Sequence, residues 1–461
     1  MQETPNTKRF IYKLKHYINR NQIELKSISK KKIIMRISVI GTGYVGTVSA
    51  ACFAELGHKV ICVDIDQSKI DHINAGIPPI YEDGLSELLK KHAGNSLTAT
   101  SDYGFAVMKS DLSFICVGTP SDSSGNIDLG IVRAASASLG DSLKKKKEFH
   151  VVVVKSTVVP ETTEKVVLPI IEKHSGKRIG DFGIAMNPEF LREGKAVYDF
   201  MHPDKIVVGS LDKRSGDMVA SLYSGLDCEV TRTNPRTAEM IKYANNAFLA
   251  TKISFANEVG NICKELGIDT YEVMSAIGKD FRIGPHFLNA GAGFGGSCFP
   301  KDVKALIGKA KEIGYEPVLL RSVIAVNEGQ PIRIVEILKN KLGRLNGKKI
   351  AVLGLAFKND TDDIRESRSI PVIKELLDNG ARVLAYDPMA NENMRRLFGS
   401  VEYQRSAEDA LRGADACLIM TEWDEFRSLD NEFHIMKNKL VVDGRHMITP
   451  GKNIEYVGLC W

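Results

Sequence analysis

No stretch of the chain is apolar over the ~20 residues that cross a bilayer. Runs such as Val151 to Val154 are strand-sized, so no spanning helix is expected. None of the eight cysteines (52, 62, 116, 228, 263, 298, 417 and 460) belongs to a Cys-x-x-Cys pair, and no His/Cys spacing suits zinc; no metal is expected. A secretory signal is also missing, which points to a reducing, cytoplasmic setting. Cys52, Cys62, Cys116, Cys263 and Cys417 fall inside apolar patterns and read as small core residues. An excess of one sign of charge is missing as well, once the N-terminus is set apart. Residues 1–34 hold nine basic and two acidic residues, a surplus of seven, so the total of +5 leaves the remainder near −2. The basic balance is therefore poor evidence for nucleic-acid binding. The extension has Phe10, Ile11, Leu14, Tyr17 and Ile18 at helical spacing. It reads as a membrane-surface helix, a Lys-rich transit peptide or the product of an upstream start; Met35, directly before the first strand, favours the last.

What is present is ordinary globular material, 43% hydrophobic and 26% charged over 461 residues, enough for more than one domain. Ile37 to Ile40 reads as a buried strand. Gly41-Thr-Gly43-Tyr-Val-Gly46 follows, then a helix over Thr47 to Leu56 and a strand over Lys59 to Val63 that ends at Asp64. Further strands are expected at Leu112 to Val117 and His150 to Val154. The far end repeats the plan, with strands at Lys349 to Leu353, Arg382 to Tyr386, Ala416 to Met420 and Leu440 to Val442, and a helix over Ile370 to Asn379. Between the halves, Thr237 to Leu266 has helical apolar spacing at Met240, Ile241, Ala244, Ala247 and Phe248. Val318 to Leu342 is a second helix that Pro331 either kinks or restarts. The pattern predicts an α/β protein of two Rossmann-like, doubly wound parallel-sheet domains joined by a helical connector. The expected boundaries are an extension over 1–34, then 35–233, 234–344 and 345–461.

Several clusters carry chemistry. Gly41, Gly43 and Gly46 let backbone approach a pyrophosphate at a helix N-terminus, and Asp64 supplies a carboxylate for ribose hydroxyls that would repel a 2′-phosphate. NAD is thereby favoured over NADP. Cys298 follows Gly295-Gly-Ser and precedes Phe-Pro300-Lys301-Asp302. Near a helix N-terminus with Lys301 and Lys242 about, its thiol is expected to have a lowered pKa and to be nucleophilic; a structural turn cysteine is an equal reading of the spacing. Asn187-Pro-Glu189-Phe-Leu-Arg-Glu193 reads as a site or as a solvated loop. Lys242 and Asn246 share a helix face, as a site or as an exposed stripe.

Taken in order, Gly41–Gly46, Asn187–Glu193, Glu239-Met-Ile-Lys242-Tyr-Ala-Asn-Asn246, Gly295–Asp302 and Phe357-Lys358-Asn-Asp-Thr-Asp-Asp-Ile-Arg365-Glu-Ser resemble the UDP-glucose/GDP-mannose dehydrogenase family over about residues 35 to 450. The likeness is strongest to members acting on UDP-glucose, through Phe190 to Val197 and Met201 to Gly209. It implies oxidation of a primary alcohol on a nucleotide sugar to a carboxylate with two NAD and no metal. By this resemblance Cys298 forms a thiohemiacetal and then a thioester, Lys242 and Asn246 stabilise the oxyanion, Asp302 with Thr157 organises a water, and Glu189 is an acid/base. The implied sugar-nucleotide site comprises Glu189, Phe190, Leu191, Arg192, Glu193, Lys242, Asn246, Arg282, Phe287, Leu288, Asn289, Ala290, Gly291, Gly295, Lys358 and Arg445. The implied NAD site comprises Gly41, Gly43, Val45, Gly46, Asp64, Lys69, Thr119, Thr157, Glu193, Lys301 and Arg365. The connector is expected to form a homodimer interface that carries Arg282 to the neighbour's substrate.

Rival readings are oxidation of GDP-mannose, UDP-N-acetylmannosamine or UDP-N-acetylglucosamine, a non-catalytic NAD-binding regulator, and a two-domain 3-hydroxyacid dehydrogenase. The last has neither the Cys298 motif nor a second half. An intact Cys298, Lys242, Asp302 and Glu189 oppose the regulator. One departure from the pattern is Val158-Val-Pro160-Glu-Thr, where a proline after a single valine, followed by glycine, is expected.

Overall fold

The computed structural model describes residues 33–122, 125–429, 431–449, 451 and 453–461. Residues 1–32 of the 1–34 extension, on which its helix reading falls, lie outside them.

Among the described residues fourteen strands form two sheets. The first contains β1 (Arg36–Ile40), β2 (Lys59–Val63), β3 (Leu97–Thr100), β4 (Leu112–Ile115), β5 (Val151–Val154), β6 (Gly183–Met186), β7 (Ile206–Ser210) and β8 (Val230–Thr233). The second contains β9 (Lys349–Leu353), β10 (Arg382–Tyr386), β11 (Glu402–Tyr403), β12 (Ala416–Ile419), β13 (Leu440–Asp443) and β14 (Glu455–Gly458). Their spatial orders are 3-2-1-4-5-6-7-8 and 11-10-9-12-13-14. The two halves thus share one winding order, that of the doubly wound nucleotide-binding sheet. All pairings are parallel except β6 with β7. Helices cover both faces of the first sheet, which is why β4, β5 and β6 are buried at every residue and read as continuous apolar runs. Ile37 and Val39 enter the core on one face, Ile40 and Val63 the core on the other.

The connector begins with a helix over Pro235–Leu266. Proline stands at its first turn, Asn234 caps it by accepting from the Thr237 amide, and Gly267 ends it at φ +68°. The apolar spacing does mark a helix, but Met240, Ala244 and Phe248 are exposed. The buried face instead carries Glu239, Lys242, Tyr243 and Asn246. Met240, Phe248, Phe255, Ile262 and Leu266 form a stripe along the outside.

A second helix, Val318–Leu342, runs through Pro331 without interruption. Its Asn327 receives the Phe294 amide at 2.7 Å and donates to the Phe294 carbonyl at 3.0 Å, while Gln330 donates to the Gly291 carbonyl at 2.9 Å. These side chains satisfy the backbone of the glycine-rich segment, which has no strand partner. Ala247, Ala250, Phe294, Val303 and Val323 pack beneath it where three helices meet. Ala256, Met274, Ile334 and Leu338 join the core of the second sheet, so connector and second half share one apolar interior.

Candidate active site

The first sheet's carboxyl edge holds the dinucleotide-type loop. Gly41 has φ +93°, and a Cβ at Gly46 would lie 1.9 Å from the Gly41 carbonyl oxygen. A Cβ at Gly43 would meet nothing within 4 Å, so this residue faces the open space into which a pyrophosphate fits. Asp64, at the end of β2, accepts the Thr42 amide at 2.7 Å and hydroxyl at 2.5 Å on one oxygen, and the Asp66 amide at 3.0 Å on the other. Burial works to raise its pKa, but the Thr42 and Asp66 bonds and nearby Lys69 win, and the carboxyl is held below its ordinary value. A carboxylate in this state accepts from ribose hydroxyls. Val45 sits in the first turn of the following helix, and Thr119 and Thr157 are in the turns after β4 and β5, so these elements line one edge.

Cys298 is the N-cap of the helix Phe299–Glu312, with Pro300 in its first turn. Lys242 donates to Glu189 at 2.8 Å, and the side chains of both are almost fully buried. Against the cost of burial, each holds the other charged: the Lys242 pKa is raised and that of Glu189 lowered. Asn246, one turn beyond Lys242, donates to Asp302 at 2.7 Å, and Lys301 grips the other Asp302 oxygen at 2.7 Å. Lys242, Glu189 and Asp302 all act electrostatically on Cys298.

The thiol corrects one expectation. Its pKa is raised, not lowered. Cys298 opens to solvent, yet protein crowds its sulfur, and the lost hydration outweighs Lys242, whose charge Glu189 already neutralises. Glu189 and Asp302 push in the same upward direction.

The second half closes over this cluster. A Cβ at Gly295 would lie 2.4 Å from the Glu366 carbonyl oxygen, and the Gly296 amide donates to the Arg365 carbonyl at 2.8 Å. The glycines thus let the Cys298 turn lie against the 357–366 loop. Lys358 donates to the Glu193 carbonyl, Thr361 to the Glu193 carboxylate, and Arg365 stands 3.8 Å from that carboxylate. Arg445 donates to the carbonyls of Met420 and Gly293. It lines a cavity of about 390 Å³ with Tyr271, Asn289, Ala290, Glu422 and His446. His446 stacks on Tyr271, and the Trp461 indole meets both rings edge-on.

Some expected residues are engaged elsewhere. Arg192 is bonded to Asp199, and Arg282 to Asp280; both guanidinium groups are largely exposed. Phe287 has φ +63° and its ring meets Phe299, next to Cys298; Leu288 and Gly291 are buried.

Sequence reasoning missed Glu82. Buried, it accepts the Tyr44 hydroxyl from within the glycine loop, the Gly194 amide at 2.8 Å and the Ala196 amide at 2.7 Å. It therefore ties the glycine loop to the Glu189–Glu193 segment. Its neighbours in sequence, Tyr81 and Asp83, give no signal of this. Lys155 was also missed: fully buried, it donates to Asn187 at 3.2 Å, and burial lowers its pKa.

The second half has its own equivalent of the nucleotide loop, closed by the protein. Asp387, at the end of β10, accepts the amides of Leu355, Ala356, Met389 and Ala390 and the Trp423 indole. Ala356, two residues after the start of this turn as Gly43 is in the first half, is buried with its amide bonded to Asp387, so no space opens there for a pyrophosphate.

Comparison with known proteins accords with this arrangement. Residues 35–227 match the NAD binding domain of the UDP-glucose/GDP-mannose dehydrogenase family, residues 236–329 its central domain and residues 351–450 its UDP binding domain. The UDP-glucose 6-dehydrogenase AglM of Haloferax volcanii is 52% identical over 92% of this chain and 100% of its own length. The UDP-glucose 6-dehydrogenase TuaD of Bacillus subtilis is 44% identical over 90% of each chain. A UDP-glucose dehydrogenase structure from Pyrobaculum islandicum superposes with a TM-score of 0.89 at 43% identity, covering 94% of this chain and 99% of that one. With the three domains of the family matched in order along most of the chain, the chain belongs to the UDP-glucose/GDP-mannose dehydrogenase family.

Proposed function

We infer that this protein is an NAD-dependent UDP-glucose 6-dehydrogenase, converting UDP-glucose, two NAD and water to UDP-glucuronate and two NADH. NAD, when bound, accepts the hydride at each of the two oxidations. Gly41, Gly43 and Gly46 would hold its pyrophosphate and Asp64 its adenosine ribose, and the open face of Gly43 fits that role. The observation that carries the reading is the convergence of Lys242, Glu189, Asn246 and Asp302 on Cys298, between the first half's loop and the second half's cavity.

In this reading the alcohol is first oxidised to an aldehyde. The Cys298 sulfur then adds to its carbon, forming a C–S bond and a thiohemiacetal. The second oxidation gives a thioester; water adds, the C–S bond breaks, and the acid leaves with the thiol restored. Lys242, held charged, stabilises the oxyanions, helped by Asn246. Glu189, held ionised, serves as a proton acceptor. Because burial raises the thiol pKa, its proton leaves as the carbonyl is attacked, and Glu189, held ionised beside Lys242, is the acceptor. Asp302, with Thr157, orients the hydrolytic water.

We assign residues 35–233 to NAD binding, 234–344 to the connector and 345–461 to the UDP-sugar. The outer apolar stripe of the Pro235–Leu266 helix supports a homodimer built on the connector. No helix among the described residues is long and apolar enough to cross a membrane, and we assign the protein to the cytoplasm. A panel of nucleotide sugars assayed for NADH tests the substrate. UDP-glucose should give the highest kcat/KM, and a stronger response to GDP-mannose or an N-acetylated UDP-sugar overturns the reading.

A further inference from the structure

We propose that Lys205 is a positioning residue for this reaction, acting through Asn245 to fix which end of the Asn246 amide faces Asp302. The proposal rests on the reading of Asn246 and Asp302 given above. Lys205 stands just before β7, away from the Cys298 turn in sequence. Its ammonium donates to Asn245 Oδ1 at 2.7 Å. Asn245 Nδ2 donates to Asn246 Oδ1 at 3.1 Å, and Asn246 Nδ2 donates to Asp302 Oδ2 at 2.7 Å. Asp302 Oδ1 accepts from Lys301 at 2.7 Å.

The direction of this chain follows from its ends. An ammonium has donors only, so Asn245 must turn its oxygen toward Lys205. Its amide nitrogen then faces Asn246, which must present oxygen there and nitrogen to Asp302. At the other end Lys301, again a donor only, requires Asp302 to accept. Two cations therefore bracket two amides and one carboxylate, and no link can reverse without placing donor against donor or acceptor against acceptor. Without Lys205, Asn245 is free to turn over. Asn246 then loses the contact that holds its nitrogen toward Asp302, and its oxygen can oppose the carboxylate that orients the water.

Among the described residues Lys205 forms no ion pair, so the amide is its polar anchor. Its ammonium also lies 4.5 Å from the centre of the Phe190 ring, in the Glu189–Glu193 segment. That contact offers a second route by which Lys205 would act, on substrate binding, and the two routes predict different kinetics.

The test uses the full-length enzyme, with UDP-glucose and NAD, in five variants: Lys205→Met, Lys205→Arg, Asn245→Leu, the Met/Leu double variant and Asp302→Asn. Lys205→Met should lower kcat by about tenfold to a hundredfold, the range matching one lost charged hydrogen bond. KM for both substrates should change little, and intact-mass measurement in the steady state should find a UDP-sugar adduct on Cys298. Lys205→Arg should recover most of the activity. Asn245→Leu should match Lys205→Met, and the double variant should be no worse than either single change. Asn245→Leu carries the test alone if Lys205→Met melts early. A raised KM for UDP-glucose at unchanged kcat, or losses that multiply in the double variant, overturns the proposal. Asp302→Asn separates the two levels. If it retains full activity, the reading of Asp302 fails; if it is slow while Lys205→Met and Asn245→Leu are fast, the relay alone fails.

Discussion

At the scale of single residues, the roles divide between groups named by short motifs and groups found only in three dimensions. Cys298, Lys242 and Asp302 belong to the first kind. Cys298→Ala should nearly abolish acid production while leaving UDP-glucose and NAD binding largely intact, because a thiol adds little affinity to the ground state. Counting NADH and uronic acid per UDP-glucose checks this; undiminished acid from the variant would end the covalent mechanism. Glu239 belongs to the second kind. It accepts the Thr163 amide at 2.8 Å, the Thr163 hydroxyl at 2.6 Å and the Glu161 amide at 2.7 Å, at the turn that departs from the family's pattern. Glu161 stands there with φ +83°, where the pattern expects glycine, and its carboxylate is held by Lys165 and Lys309. Burial outweighs the three donors and pushes the Glu239 pKa from 4.5 up to about 7. A carboxyl raised on folding binds more protons folded than unfolded, so its contribution is full below pH 4.5 and is lost as the pH rises to about 7. Melting temperatures of Glu239→Gln across that window should lack the decline that wild type shows; parallel curves would deny the shift. In sequence Glu239 is only the first residue of the Lys242 motif; that it binds the turn at 161–163 was not legible, because those contacts join positions far apart in the chain.

At the scale of elements, burial alone did not make a strand legible. Strands β2, β9 and β10 match their expected limits, since apolar runs between turn residues have few other readings in a covered parallel sheet. β3, with sequence Leu-Thr-Ala-Thr, and the half-exposed edge strand β8 present no such run and were missed; β11 and β14, and the buried β6 and β7, were missed as well. The Pro235–Leu266 helix was found from apolar residues of which Met240, Ala244 and Phe248 lie on its outer face and Ala247 on its inner one. The inner side holds Lys242, Glu239 and Asn246 among small residues such as Ala238, Ala247 and Ala250, and the large apolar side chains Met240, Phe248 and Phe255 are left for another surface. If the proposed dimer is built on that surface, Phe248→Glu with Phe255→Glu should yield monomers with lower activity, as read by light scattering and NADH production. An unchanged dimer would place the interface elsewhere. The Val318–Leu342 helix shows the opposite limit. Nothing in its sequence indicates that Asn327 and Gln330 would bind the glycine segment's backbone, because those contacts join positions far apart in the chain.

At the scale of the molecule, two sheets of one winding order do different work. The first leaves its glycine loop open; the second fills the same place with Asp387 and Trp423. That both halves are Rossmann-like was legible, since strand, turn and acid recur, but the closure of the second was not. Glu82 joins the open loop to the Glu189–Glu193 segment, which in turn meets Lys358 and Thr361 of the second half. Removing its carboxylate leaves the buried Ala196 amide without its partner, at about 1–3 kcal/mol, and the Gly194 amide with the Tyr44 hydroxyl alone. Glu82→Ala should therefore lower stability and raise KM for NAD and UDP-glucose together; a change in only one KM would show that the two sites are not tied there. The placement of the indoles has an optical consequence. The chain has two tryptophans, and both lie in the second half, Trp423 in the closed crevice and Trp461 against the Tyr271–His446 pair that lines the Arg445 cavity. Emission excited at the red edge of indole absorption is therefore a built-in reporter of that half alone. UDP should change it on titration, whereas NAD added by itself should leave its wavelength unmoved, which allows occupancy of the sugar-nucleotide pocket to be followed in stopped-flow without a label.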